Sequence, residues 1–170
     1  VILIVSTKKQ EEKMNKENSC CPRFNPEPWN EKEIVWENKK FAQDRVVSFM
    51  HIPLNFGQVM KRIMKKIEAS NVKCEDMIVI TDEDSLCGTN VFVNVSGDVK
   101  SGKMTSISGT FLTKVFEGSY KNMGNWMKEM EQFVKSKDKE IKKLYYYYTT
   151  CPKCAKEYGK NYTVLLAQID

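Results

Sequence analysis

Residues 109–126 read GTFLTKVFEGSYKNMGNW, and after a charged connection residues 144–154 read LYYYYTTCPKC. The first stretch is an apolar strand that runs into a glycine turn and then, at Tyr120, into an amphipathic helix; the second is the returning strand. Together they make a β-α-β unit with an aromatic face. Consecutive tyrosines in a strand put hydroxylated rings on both faces of a sheet. Because a buried phenol needs a partner, at least one ring pair is expected to line a cleft. That expectation points to a small-molecule ligand more than to nucleic acid.

Working outward, residues 33–52, EIVWENKKFAQDRVVSFMHI, read as two strands around a Glu37-Asn38 turn, ended by Pro53. From Asn55 to Ser70 the residues Val59, Met60, Ile63, Met64 and Ile67 recur at helical spacing, with lysines and Arg62 on the other side and Asn55 as N-cap. Asp76–Thr81 and Thr89–Val95 read as a strand pair joined by an acidic loop from Asp82 to Gly88. Gly97–Lys103 is a breaker-rich loop. The order then begins again with a strand at 107–116, a helix at 119–136 striped by Met123, Met127, Met130 and Val134, a strand at 142–149, a loop at 151–160 and a strand at 161–169. The predicted fold class is α+β: two β-α-β-β modules, about 43–96 and 107–169, side by side in a mainly antiparallel sheet with two long helices on one face.

A chain of 170 residues has room for one domain and not for two ordinary ones. With 41% hydrophobic and 29% charged residues it is globular, and no apolar run is long enough for a membrane span. Residues 1–19 are read as a poorly ordered tail, since Ser6–Ser19 is almost all Lys, Glu, Gln and Asn. Val1–Val5 lacks the basic start and the cleavage site of a signal peptide, and the absence of an initiator Met suggests a trimmed beginning. The expected location is cytoplasmic. A net charge of +5 spread over every segment does not make the stripe of a duplex binder, so nucleic acid is disfavoured as a partner.

The doubled element order, the string KVFEGSYKNMGNWMKEME and the closing strands around YYYYTTCP and NYTVLLAQI resemble the GyrI-like domain, the small-molecule-binding module of gyrase-inhibitor-like proteins and multidrug-sensing regulators. The resemblance implies two modules sharing one sheet, with a cleft between them for flat, partly apolar ligands; some relatives are hydrolases. By motif match Tyr120 falls on the family's Gly-x-Tyr tyrosine, and Trp126 lies on the following helix. Where many relatives carry an acidic residue in a Phe-Glu-x-Tyr strand, alignment on Thr150-Cys151-Pro152 places Tyr146. A tyrosine can orient a ligand but supplies no carboxylate at neutral pH.

Six cysteines form the second constellation. The two-residue spacing of Cys151-Pro-Lys-Cys154 suits two thiolates on one metal. Cys20-Cys21 is the other pair, and the expectation is that Cys20, Cys21, Cys151 and Cys154 close one structural Zn²⁺ site that ties the N-terminal arm over the sheet end. A redox pair is disfavoured, because such a motif opens a helix whereas a loop is read here. Unmetallated thiols are the third alternative. His51, the single histidine, reads as a strand-end residue, and the trio Asp82, Glu83 and Asp84 reads as a solvated hairpin loop. Trp29 and Trp36 either pack on the sheet edge or lid a cleft.

Three functional classes follow. The first is a GyrI-like ligand-binding protein that is also a hydrolase of small electrophilic or aromatic compounds. Its cleft is expected to use Tyr120, Trp126, Tyr146, Tyr148 and Trp36, with Glu117 and His51 for proton transfer and no cofactor for the chemistry. The second is a drug or metabolite sensor without turnover. The third is a zinc-knuckle protein touching nucleic acid through Lys153, Lys156 and Lys160. The partner expected overall is a small aromatic or amphipathic molecule, with no membrane; the oligomeric state is left open.

Overall fold

The computed structural model describes residues 21–49, 52–85 and 88–170. The tail, Cys20, His51 and Cys87 lie outside these residues. Seven strands follow the chain: β1 Lys32–Phe49, β2 Ile52–Pro53, β3 Cys74–Ser85, β4 Gly88–Val95, β5 Lys103–Glu117, β6 Lys143–Tyr148 and β7 Tyr162–Gln168. The helices are α1 Phe56–Ala69, α2 Met123–Ser136 and α3 Pro152–Tyr158, with a short 3₁₀ turn at Tyr120–Asn122 before α2.

The first module's two expected strands are one. Glu37-Asn38 forms a bulge, with Asn38 at φ 48° and a register shift between Trp36 and Lys39, and the strand runs on. A bulge adds twist without ending pairing, so one 18-residue strand serves two neighbours. Lys32 to Gln43 pair with β5, and Phe41 to Val47 pair with β4. With β4–β3, β3–β6, β6–β7 and β7–β5 also antiparallel, six strands close into a barrel. The expected sheet of two modules side by side is thus a closed barrel, while the α+β class and the antiparallel pairing stand.

Alternation then sorts the side chains. Phe41, Ile78, Ile80, Phe92, Phe111 and Leu166 fill the barrel with Tyr145 and Tyr147. The intervening residues face outward, where α1 buries Val59, Ile63 and Ile67 on Ala42, Val46, Val91 and Val93. On another part of the wall, α2 buries Trp126, Met130 and Val134 on Leu112, Phe116, Tyr146 and Leu165. Both helices use positions four apart for their buried stripe, which gives each an apolar face of about the width a sheet can cover. Each such buried side chain contributes about 1.5–3 kcal/mol. No helix among the described residues is long and apolar enough to cross a membrane.

Three local expectations change. Asn55 stands at the start of α1, but its Oδ1 accepts from the Val47 N–H at 2.9 Å instead of capping the helix. Strand β3 extends through Asp82, which is buried and not part of a solvated loop. The expected loop at 151–160 contains α3, begun by Pro152 and closed by Gly159 in the left-handed conformation (φ 66°) that favours glycine.

Candidate functional site

One end of the barrel is polar and open. A cavity of about 540 Å³ is lined there by Gln43, Asp82, Asn90, Lys143, Tyr145 and Gln168, among others. The registers Arg45↔Asn90 and Asn90↔Asp82 carry one row of polar side chains across β1, β4 and β3. Alternation brings Asp82 to the inside, because it continues the inward set Ile78 and Ile80. Its side chain is 3% exposed. Lys143 Nζ stands 2.7 Å from Asp82 Oδ2 and 5.1 Å from the centroid of the Tyr145 ring. Gln43 Nε2 donates to Asn90 Oδ1 at 3.4 Å, and Gln168 Nε2 donates to the Ser108 carbonyl at 3.1 Å. Asp82 Oδ1 is buried without a hydrogen-bond partner. A buried carboxylate oxygen left unaddressed is costly in a folded protein unless something else satisfies it. Water or a bound molecule in the adjoining cavity is the acceptor's natural complement. Gly88 makes room for this arrangement: a Cβ there would lie 2.5 Å from an Arg45 guanidinium nitrogen.

The opposite end is aromatic and thiol-bearing. The inward Tyr147 meets Phe24 at 5.9 Å and Trp29 at 5.3 Å between centroids, both rings coming from the N-terminal arm. Burial pushes the Tyr147 hydroxyl up from its ordinary value of 10 to about 12. Cys21 on the arm, Cys151 at the start of α3 and Cys154 one turn later have their sulfur atoms within 4.8 Å of one another, a cluster able to hold a metal ion. All three are thiols. Burial, aided by the neighbouring thiols, raises Cys21 to about 12, against the lowering effect of the Cys151 N–H that donates to its sulfur at 3.4 Å. Because α3 begins at Pro152, the absence of a helix no longer argues against a redox pair.

Most of the other predicted site residues gather about α2: Trp126 and Tyr146 are buried in one cluster, Tyr148 packs against it, and Tyr120 joins through Tyr148. Tyr120 and Tyr148 meet edge to face at 5.2 Å, and the Tyr120 hydroxyl bonds the Asn161 side chain at 3.1 Å. Tyr146 is buried beneath α2 with its hydroxyl 3.7 Å from Met127 Sδ, and Trp126 stacks on Phe116 at 5.5 Å. Glu117 is exposed at the end of β5 remote from Asp82. Trp36 is inside the barrel, 4.8 Å from the Phe111 ring, and borders a second cavity of about 460 Å³ beside the β1 bulge. His51 and Cys20 are outside the described residues. Asp82, Lys143 and Tyr145, the candidates the geometry brings together at the mouth, are not among the predicted site residues; the inward alternation Ile78, Ile80, Asp82 is the signal available in the sequence.

A family model described as Bacterial hydrolase matches residues 11–169. No curated protein matches the sequence. Among solved structures, the chain of EcmrR in its complex with DNA matches with a TM-score of 0.66 at 10% identity, over 98% of this chain and 65% of that one. This chain thus spans just under two-thirds of EcmrR's length. A hydrolase from Listeria innocua matches with a TM-score of 0.62 at 12% identity, over 96% of this chain and 98% of that one. At such identities the likeness is one of fold, and it agrees with the GyrI-like resemblance carried by the sequence.

Proposed function

The chain belongs to the bacterial hydrolase family, and on that premise we propose that it binds and hydrolyses a small electrophilic compound with an aromatic or amphipathic body at the polar mouth of the barrel. The observation that carries this reading is the unpartnered Oδ1 of Asp82 in a cavity floored by Tyr145 and Phe92. A water held on Oδ1 gives up a proton to the carboxylate as its oxygen bonds to the electrophilic carbon. The bond to the leaving group then breaks, and the same proton passes from Asp82 to the departing atom. Lys143, on the second carboxylate oxygen, holds the base in position. The side-chain N–H groups of Arg45, Asn90 and Gln43 stand on the wall where negative charge develops. The aromatic floor accepts the apolar part of the substrate.

No cofactor is assigned to this chemistry. The three-thiol cluster supports a structural Zn²⁺; Cys20, the fourth thiolate of the expected site, lies outside the described residues. A second reading, binding without turnover, draws on the pair Tyr120 and Tyr148: Tyr120 is 40% exposed and offers a ring edge to a flat ligand. Trp126 and Tyr146 back that pair from beneath α2, whereas Trp36 lies inside the barrel; for turnover beside the pair Glu117 is the alternative proton carrier, and His51, the other expected one, lies outside the described residues.

The test is a panel of activated aryl esters and strained cyclic ethers and lactones given to the protein and to Asp82→Asn. Turnover by the wild type that Asp82→Asn abolishes, with the fold retained by circular dichroism, supports the mouth as the active site. Turnover that survives Asp82→Asn but is lost in Glu117→Gln moves the chemistry to the other end. Quenching of tryptophan fluorescence by aromatic ligands without any turnover selects the sensor.

A further inference from the structure

We infer that Cys21, Cys151 and Cys154 form a thiolate site for a divalent cation of the zinc class, and that the bound cation clasps residues 21–31 across the end of the barrel opposite its mouth. The inference rests on the structural-zinc reading and adds which residues of the arm the metal holds and what they shield.

Three features carry it. Cys151 and Cys154 are three apart at the beginning of α3 and so share one side of it. The third sulfur comes from a segment 130 residues away in sequence, within 4.8 Å of both. A tetrahedral site with metal–sulfur bonds of about 2.3 Å sets sulfurs slightly under 4 Å apart, so only a small contraction separates this cluster from a metal geometry. A disulfide joins two thiols and strands the third, whereas a divalent cation takes all three by releasing three protons.

The second feature is α3 itself. Seven residues are too few to hold a helix without outside support. Its support is the arm: the Tyr158 hydroxyl donates to the Cys21 carbonyl, and the Arg23 guanidinium lies 4.5 Å over the Tyr158 ring. Helix and arm thus hold each other, with the sulfur cluster at their junction.

The third is what the arm covers. Phe24 packs on Tyr147 and Tyr162, and Trp29 on Tyr147. The Thr113 hydroxyl donates to the Trp29 carbonyl at 2.6 Å, and the Val115 N–H to Asn30 Oδ1 at 3.2 Å. Residues 21–31 have no regular ladder of their own to keep them there. A metal bond at one extremity of the arm supplies a fixed point, and loss of the metal frees the segment that shields Tyr147.

Cobalt(II) titration of the 170-residue chain, followed by near-ultraviolet thiolate-to-metal absorption, measures the site. Trypsin cleavage after Arg23, with and without chelator, measures the clasp. The expected result is one equivalent of tetrahedral cobalt, displaced by zinc. Cleavage after Arg23 should be at least about tenfold faster in chelated protein or in Cys21→Ser, because proteolysis of an opened segment follows the open population. Cys154 is fully buried and its substitution can disturb the fold, so Cys21→Ser and Cys151→Ser are the informative variants. Failure to bind cobalt with a thiolate signature overturns both the metal site and the clasp. One tightly bound equivalent with an unchanged cleavage rate leaves the structural metal and overturns the clasp. Turnover at the mouth does not depend on cobalt binding or on the cleavage rate, which keeps this test separate from that of Asp82.

Discussion

Lys143 and Tyr147 lie on the same side of β6, four residues apart, yet their surroundings are opposite in kind. Lys143 ends in an ion pair with a buried carboxylate beside an open cavity. Tyr147, about 13 Å further along the strand, is shut in by Phe24 and Trp29 from the arm. Tyr145 lies between them, lining the cavity while packing on Phe92 and Phe111. One barrel therefore has a polar, charged mouth and an aromatic foot. The difference shows that one closed sheet can present two unlike ends without a second domain: polar where a strand row turns to Asp82, Asn90 and Lys143, and aromatic where the row meets the arm and its sulfur.

The sharpest break of this comparison is Asp82→Asn. It should lower turnover by about 10²–10⁴-fold, the usual contribution of a general base, and leave cobalt binding at the foot unchanged; initial rates on the most reactive substrate and a cobalt titration read both. Lys143→Ala comes next. It strands the Asp82 carboxylate, and chemical denaturation should show a loss of about 3 kcal/mol, which Asp82→Asn in the same chain largely restores.

At the foot, Tyr147→Phe gives a pH signature. Since burial raises the folded-state pKa from 10 to about 12, the native protein keeps this proton after the unfolded chain has lost it. The contribution is full below pH 10 and is lost as pH rises through about 12. Urea unfolding between pH 9 and 12 should show the wild type losing on the order of 2 kcal/mol more than Tyr147→Phe over that window. The smallest effect is expected from Gly109→Ala. Gly109 has φ 144°, and a Cβ there would sit 2.7 Å from Gln168 Nε2 and 2.8 Å from Asp170 Oδ1. A thermal shift corresponding to about 1–2 kcal/mol should accompany a changed KM at the mouth, with the Arg23 cleavage rate unmoved.

The run of four tyrosines shows where sequence reading stops. A strand with polar and apolar residues in turn announces its inner face, but four identical side chains carry no contrast, and a shift of one residue exchanges the faces. Tyr146, which the motif match selects, and Tyr148 are the tyrosines of this strand expected in the cleft; the barrel turns Tyr145 and Tyr147 inward. Asp82 escaped for a related reason, because three acidic residues in a row look like a loop even when the first of them continues Ile78 and Ile80. Spacing succeeded where the chemistry is local: Cys151-Pro-Lys-Cys154 reaches the same cluster as Cys21. Helices α1 and α2 were legible from their stripes. Closure was not, since it depends on β1 pairing on both sides, and its bulge at Glu37-Asn38 resembles a hairpin turn in every local property.

That double pairing of β1 bears on how the protein is made. As the chain leaves the ribosome, β1 emerges early, but Gln43 must wait for Lys103 and Lys32 for Thr113 before its second edge is covered. Until then the nascent chain displays a long bare edge, the kind of template that recruits other strands. A chain halted before residue 113 should aggregate, and one carried on through β7 at Gln168, where the barrel closes, should not.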